Sequence, residues 1–179
     1  MYRASEKSNS MAPRQQRPLA ADIASLLFKV ALFAALFVAL FSFVFGAYRC
    51  GDISMSPNMK DGDMVLDYRL DKNFHLHDVA AFTYKDQRMA ARVVAREGDK
   101  VDITADGLVV NGSVQQESGV YGATTQVAGG VTFPLTVGKG QIFVLGDNRE
   151  QAIDSRTFGC VDVASSEGKV LAVLRTRGV

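Results

Sequence analysis

From Val30 to Tyr48 the chain runs nineteen residues without a charge, and seventeen of them are apolar. As a helix rising about 1.5 Å per residue, such a run spans roughly 28 Å, close to the hydrocarbon thickness of a bilayer. Phe33, Phe37, Phe41, Phe43 and Phe45 stand among leucine, alanine and valine, leaving no polar face for a helix that lies in water. Lys29 can snorkel to the near interface, and Tyr48 and Arg49 stand where an anchor at the far interface is expected. Residues 23–48 are therefore expected to form a transmembrane anchor helix.

The net charge of +1 is the sum of two unlike parts. Residues 1–48 hold five basic side chains (Arg3, Lys7, Arg14, Arg17, Lys29) and two acidic ones (Glu6, Asp22), giving +3; residues 49–179 hold fifteen and seventeen, giving −2. The basic flank keeps residues 1–22 in the cytoplasm and puts residues 49–179 on the far side of the cell membrane as a single-pass ectodomain. A cleavable signal peptide would have an apolar core of about 7–15 residues and small residues at its cut, which Ala47-Tyr48-Arg49 does not supply. Neither part carries the basic stripe of a nucleic-acid binder. In an oxidising compartment Cys50 and Cys160 form either one disulfide or two separate buried thiols, and the sequence leaves both open.

Without the membrane run the apolar share falls from 47% to roughly 42%, an ordinary globular value. The period then changes to about two: Met64–Leu70, Asp78–Tyr84, Met89–Ala95, Val101–Thr104 and Leu108–Val110 are short alternating or β-branched segments. Asp61-Gly62, Glu97-Gly98, Asp106-Gly107 and Asn111-Gly112 separate them as turns, and Asp106-Gly107 predicts a hairpin. Further strands are expected at Val131–Val137, Gln141–Leu145 and Lys169–Arg175. No helical period of ten residues follows the anchor, so the ectodomain is expected to be mostly β. The Gly/Ser/Thr-rich stretch from Ser113 to Gly130 reads as an exposed insertion without a site.

Three segments can carry chemistry: Asp52-Ile-Ser54-Met55-Ser-Pro57 with Gly62–Leu66, Ala91-Arg92 through Asp99, and Gly146-Asp147-Asn148 through Arg156. In this order behind an anchor, the chain resembles type I signal peptidases, membrane-bound serine endopeptidases that release exported proteins from their signal peptides. The resemblance covers the anchor and Tyr48 to about Gly159, and it implies a signal-peptidase-like β ectodomain with no metal and no other cofactor. In that family a Ser-Met-x-Pro segment supplies the nucleophile, which falls on Ser54. The family's Gly-Asp-Asn motif, with its later Asp-Ser-Arg, aligns with Gly146 to Arg156.

The departures bear on function. Where the family has its general-base lysine this chain has Ala91, and where the family has the serine that orients that lysine it has Ala152. A serine hydroxyl needs a neutral amine beside it to act as a nucleophile, and alanine accepts no proton. Loss of a general base costs about 10²–10⁴-fold. No replacement stands out. Lys85 lies roughly 20 Å from position 91 along an extended chain, Arg92 stays protonated, and His75 and His77 read as exposed loop residues. Asp52 lies on the same face as Ser54, but the family carries serine or glycine there, and that serine helps bind the oxyanion. A carboxylate in its place opposes negative charge developing in the transition state.

Asp154 with Arg156 is expected to form an ion pair that fixes the loop, Asp147 and Asn148 to shape a turn at the end of the strand Gln141–Leu145, and Met55 and Pro57 to set the backbone around Ser54. Asp52, Met55 and Pro57 would then border a bound peptide. Two functions follow: a signal peptidase acting through Ser54, or a non-catalytic relative holding an extended signal peptide or pilin subunit during pilus assembly. A third alternative is that Ala91 and Ala152 were introduced into an active enzyme.

Overall fold

A computed structural model of the chain describes residues 19–175. The basic tail residues Arg3, Lys7, Arg14 and Arg17 lie outside the described residues. Helix α1 (Leu19–Val44) is long and apolar enough to cross a membrane. It ends four residues before the expected boundary at 48, because the last part of the apolar run is strand β1 (Phe45–Arg49). Gly46 favours that change, since glycine inside a helix costs roughly 1 kcal/mol relative to alanine. Tyr48 is consequently a core residue and not an interfacial anchor; the Arg88 guanidinium lies 5.8 Å from its ring centroid.

The strands that follow are β2 (Met64–Tyr68), β3 (Val79–Tyr84), β4 (Gln87–Arg96), β5 (Lys100–Thr104), β6 (Gly107–Val110), β7 (Ser113–Val114), β8 (Leu135–Thr136), β9 (Gln141–Leu145), β10 (Val161–Asp162) and β11 (Gly168–Leu174), with a short helix α2 (Ser155–Phe158) before β10. Seven form an antiparallel sheet in the order β1-β2-β11-β3-β4-β9-β10, and four a second one in the order β7-β6-β5-β8. The mostly-β expectation therefore holds. The Asp106-Gly107 hairpin is present, pairing Thr104 with Gly107. Of the strand expected over residues 131–137 only Leu135–Thr136 pairs, since Pro134 has no N–H to give to a ladder.

Alternation along β4 divides the interior. Met89, Ala91 and Val93 pack with Phe74, Ala80, Phe82, Ile142 and Val144, whereas Ala90 joins Tyr48, Cys50, Met55, Met59, Val65 and Ala81. A third cluster, including Val101, Ile103, Leu108, Val137 and Phe143, includes residues of both sheets. Cys50 belongs to the second cluster and Cys160 packs against the third, and both are free thiols. Of the two alternatives left open for the cysteines, the structure has the separate thiols.

Asp67 is fully buried on β2 opposite Gly46, and a Cβ at position 46 would stand 2.4 Å from both of its carboxylate oxygens. Among the described residues neither oxygen accepts a hydrogen bond, and the Arg69 Nε that pairs with it is 3.8 Å away. Burial first, then the charge of Glu167, push its pKa up.

Candidate functional site

Ser54 lies in a tight loop between β1 and β2, closed at its base by Cys50 N donating to Asp63 O at 2.8 Å and Gly62 N donating to Cys50 O at 2.9 Å. The loop is pinned from inside. Met55 and Met59 are buried in the core, and burying each such side chain stabilises by about 1.5–3 kcal/mol. Ser54 itself is 4% exposed, and its Oγ makes no hydrogen bond among the described residues. Pro57 follows across a cis bond from Ser56, and its carbonyl and that of Asn58 lie 3.4 and 3.3 Å from an Arg175 amine.

The Asp52 carboxylate turns back onto this loop. Its Oδ1 accepts the Ser54 N–H at 3.0 Å, in the manner of an Asx turn. The amide that a serine nucleophile would offer to an oxyanion is thereby engaged by a carboxylate.

The loop after β9 grips Ser54 from the other side. Asn148 N donates to Ser54 O at 2.8 Å and its Nδ2 approaches Ile53 O at 3.4 Å. Asp147 is fully buried and receives Arg92 Nε at 2.7 Å, Arg92 Nη2 at 2.6 Å and Asn58 Nδ2 at 2.7 Å. These bonds to Asp147 push the Arg92 pKa up. Arg92 also donates to His77 O at 2.9 Å. Asp154 receives Arg156 Nε and Nη2, each at 2.9 Å, and Gly146 N at 3.0 Å, while Arg156 reaches Arg149 O at 2.7 Å. The Asp154–Arg156 pair expected to fix the loop is formed, and the Arg92–Asp147 pair adds a tie not expected from the sequence.

Ala152 packs against Gly146, which follows the last rung of the β4–β9 ladder, Arg92 with Leu145. A Cβ at Gly146 would stand 2.3 Å from Ala152 Cβ and 2.6 Å from Ser54 O, a space only glycine fits. Ala91 is closed among Phe74, Phe82, Met89 and Val93. It does not border the cavity of about 200 Å³ beside Ser54, which is lined by Asp52, Ile53, Tyr84, Lys85, Met89 and Ile153 together with Gln87 and Gln151.

Lys85 borders that cavity. Reach along an extended strand removed it as a candidate, but the β3–β4 hairpin turns at Lys85 and Asp86, both at positive φ, and presents its tip to the Ser54 loop. The Lys85 Nζ lies 5.3 Å from the Tyr84 ring centroid. His75 and His77 do lie in an exposed turn, His75 Nδ1 being 3.6 Å from Asp78 Oδ2, and no group of three or more metal-binding side chains occurs among the described residues.

The stretch from Ser113 to Gly130 also departs from its expected role. Glu117 and the buried Thr124 both take Arg149, whose Nη2 lies 2.5 Å from Glu117 Oε1, and Tyr121 exchanges backbone hydrogen bonds with Asp147 and Arg149 at 2.7 and 2.8 Å. Asn58 Nδ2 donates to Gly119 O at 3.1 Å. The stretch is thus a strap fastened to the site loop, through polar partners too distant in sequence to leave a local signal.

Comparison with known proteins places these features in context. Residues 23–175 match the family described as signal peptidase, peptidase S26. Signal peptidase IB of Staphylococcus aureus is 32% identical over 158 residues, covering 76% of this chain and 83% of that protein. Signal peptidase I V of Bacillus subtilis is 31% identical over 130 residues, covering 65% and 77%. A crystal structure of a signal peptidase I from Enterococcus faecalis shares 33% identity, covers 56% of this chain and 97% of that one, and superposes with a TM-score of 0.46.

Proposed function

This chain belongs to the signal peptidase family, peptidase S26, and from that membership we propose that it holds the signal segment of an exported protein in extended form beside Ser54 without cutting it. Asp52 carries the proposal, because its carboxylate already occupies the Ser54 N–H at 3.0 Å. A tetrahedral intermediate at Ser54 would have to displace that carboxylate and then bear its charge close by, where an enzyme of this kind needs a donor. The base position adds to this: Ala91 accepts no proton and is packed among apolar side chains. Anchoring by α1, with residues 1–22 cytoplasmic and 49–179 outside, belongs to the same proposal and draws on the helix's length and the basic residues before it. A pilin subunit is one exported protein that such a cleft would serve.

The test uses the full chain in detergent micelles with a labelled signal peptide. Binding without cleavage is expected, and Ser54→Ala is expected to retain binding. Ser54-dependent cleavage would overturn the proposal. Residual hydrolysis is the second reading, favoured by Ser54 and Lys85 lining the same cavity. Cleavage lost in both Ser54→Ala and Lys85→Ala would establish it.

A further inference from the structure

The cavity beside Ser54 is built differently from an apolar slot. Its buried lining residues are Met89 and Ser54; Ile53, Ile153 and Tyr84 give it apolar sides. At about 200 Å³ it holds a side chain, since a single water needs only roughly 10–15 Å³ of such space. Two charged residues line it. Asp52 is half-buried and has no ion-pair partner among the described residues; one oxygen takes the Ser54 N–H and the other is unbonded. Lys85 is exposed at the hairpin tip, with its ammonium over the Tyr84 ring. Water and salt screen an exposed charge more than a half-buried one, so the inner field of the cavity is set by Asp52.

We propose that this cavity binds a cationic side chain, lysine or arginine, of the held peptide, with its charge on Asp52 and the Ser54 hydroxyl. The proposal rests on the peptide-holding function. A lysine suits the lining: its four-carbon stem lies along Met89, Tyr84 and the isoleucines, and its ammonium gives donors to the free Asp52 oxygen and to Ser54 Oγ. Position 52 is acidic, so the ligand supplies the positive charge that the cavity favours.

The experiment measures binding of alanine-based decapeptides to the full chain in micelles by fluorescence polarisation. They are identical except for lysine, arginine, norleucine or glutamate at one central position. The lysine and arginine peptides are expected to bind about tenfold more tightly than the norleucine peptide, as one charge-assisted hydrogen bond provides, with glutamate weakest. Asp52→Asn keeps an acceptor for the Ser54 N–H and removes the charge, and the preference is expected to collapse. Lys85→Gln is expected to keep or widen it. Equal binding of all four peptides, or a preference that survives Asp52→Asn or vanishes in Lys85→Gln, overturns the proposal and leaves peptide holding intact. Failure of every peptide to bind overturns both.

Discussion

Arg92 and Asp147 meet through two parallel hydrogen bonds of 2.7 and 2.6 Å, a bidentate pair that joins β4 to the loop gripping Ser54. The pair is half of a larger tie, because Asp147 also holds Asn58 from the Ser54 loop. Asp147→Ala removes the carboxylate shared by Arg92 and Asn58, which then keep His77 O and Gly119 O, and breaking a pair with one fully buried partner costs up to about 3–5 kcal/mol. At about 2–4 °C per kcal/mol for a chain of this size, the melting midpoint is expected to fall on the order of 10 °C. A thermal melt followed by circular dichroism reads this directly; a shift below about 2 °C would mean that the tie is not structural.

Asp67 makes stability depend on pH in an unusual direction. A carboxyl whose folded pKa lies above its unfolded value stabilises the fold fully only below the unfolded pKa, and that contribution is lost as pH rises through the folded one. Unfolding free energy, measured in urea, is therefore expected to decline as pH climbs from about 3.8 through the raised value of Asp67. Asp67→Asn is expected to remove that decline and to be the more stable form at neutral pH. Parallel curves for the two proteins would refute the assignment.

Restoring the lost residues separates a recent loss from a remodelled cleft. Ala91→Lys with Ala152→Ser is expected to give no measurable cleavage of a signal peptide by mass spectrometry, because Asp52 still engages the Ser54 amide. Adding Asp52→Ser is expected to bring cleavage into the measurable range, by a factor on the order of the 10²–10³ that one oxyanion-hole donor contributes. Full recovery in the double variant would show that Asp52 is no obstacle.

Arg149 holds the strap. Its side chain is 1% exposed and joins Glu117 and Thr124, so Arg149→Ala leaves an acidic group and a hydroxyl without their cation. Amide exchange at residues 117–125 is expected to accelerate at least tenfold, while β3 and β4 keep their protection. Uniform acceleration across both regions would indicate general destabilisation instead.

Much of the β unit was legible in the chain. The alternation at 64–68 and 101–104 survived almost unchanged, because strands with one buried face must alternate, whereas 79–84 is buried on both faces at Ala80, Ala81 and Phe82. The boundary at Val44 was not legible, since a membrane helix and the half-buried strand after it use the same apolar alphabet. At the site, the positions of Ser54, Ala91 and Ala152 were marked by motif. Asp52's bond to the Ser54 amide, Lys85's return on a hairpin and the Arg149 strap depend on folding geometry, and no local pattern encodes them.

The two thiols sit in separate cores, Cys50 beside Met55 and Cys160 near the cluster around Phe143. Maturation of the β unit consequently needs no oxidant and no disulfide isomerase. Its folding yield should be indifferent to the redox poise of the compartment in which it is made, so a reducing host cytoplasm is as suitable a place to produce it as an oxidising one.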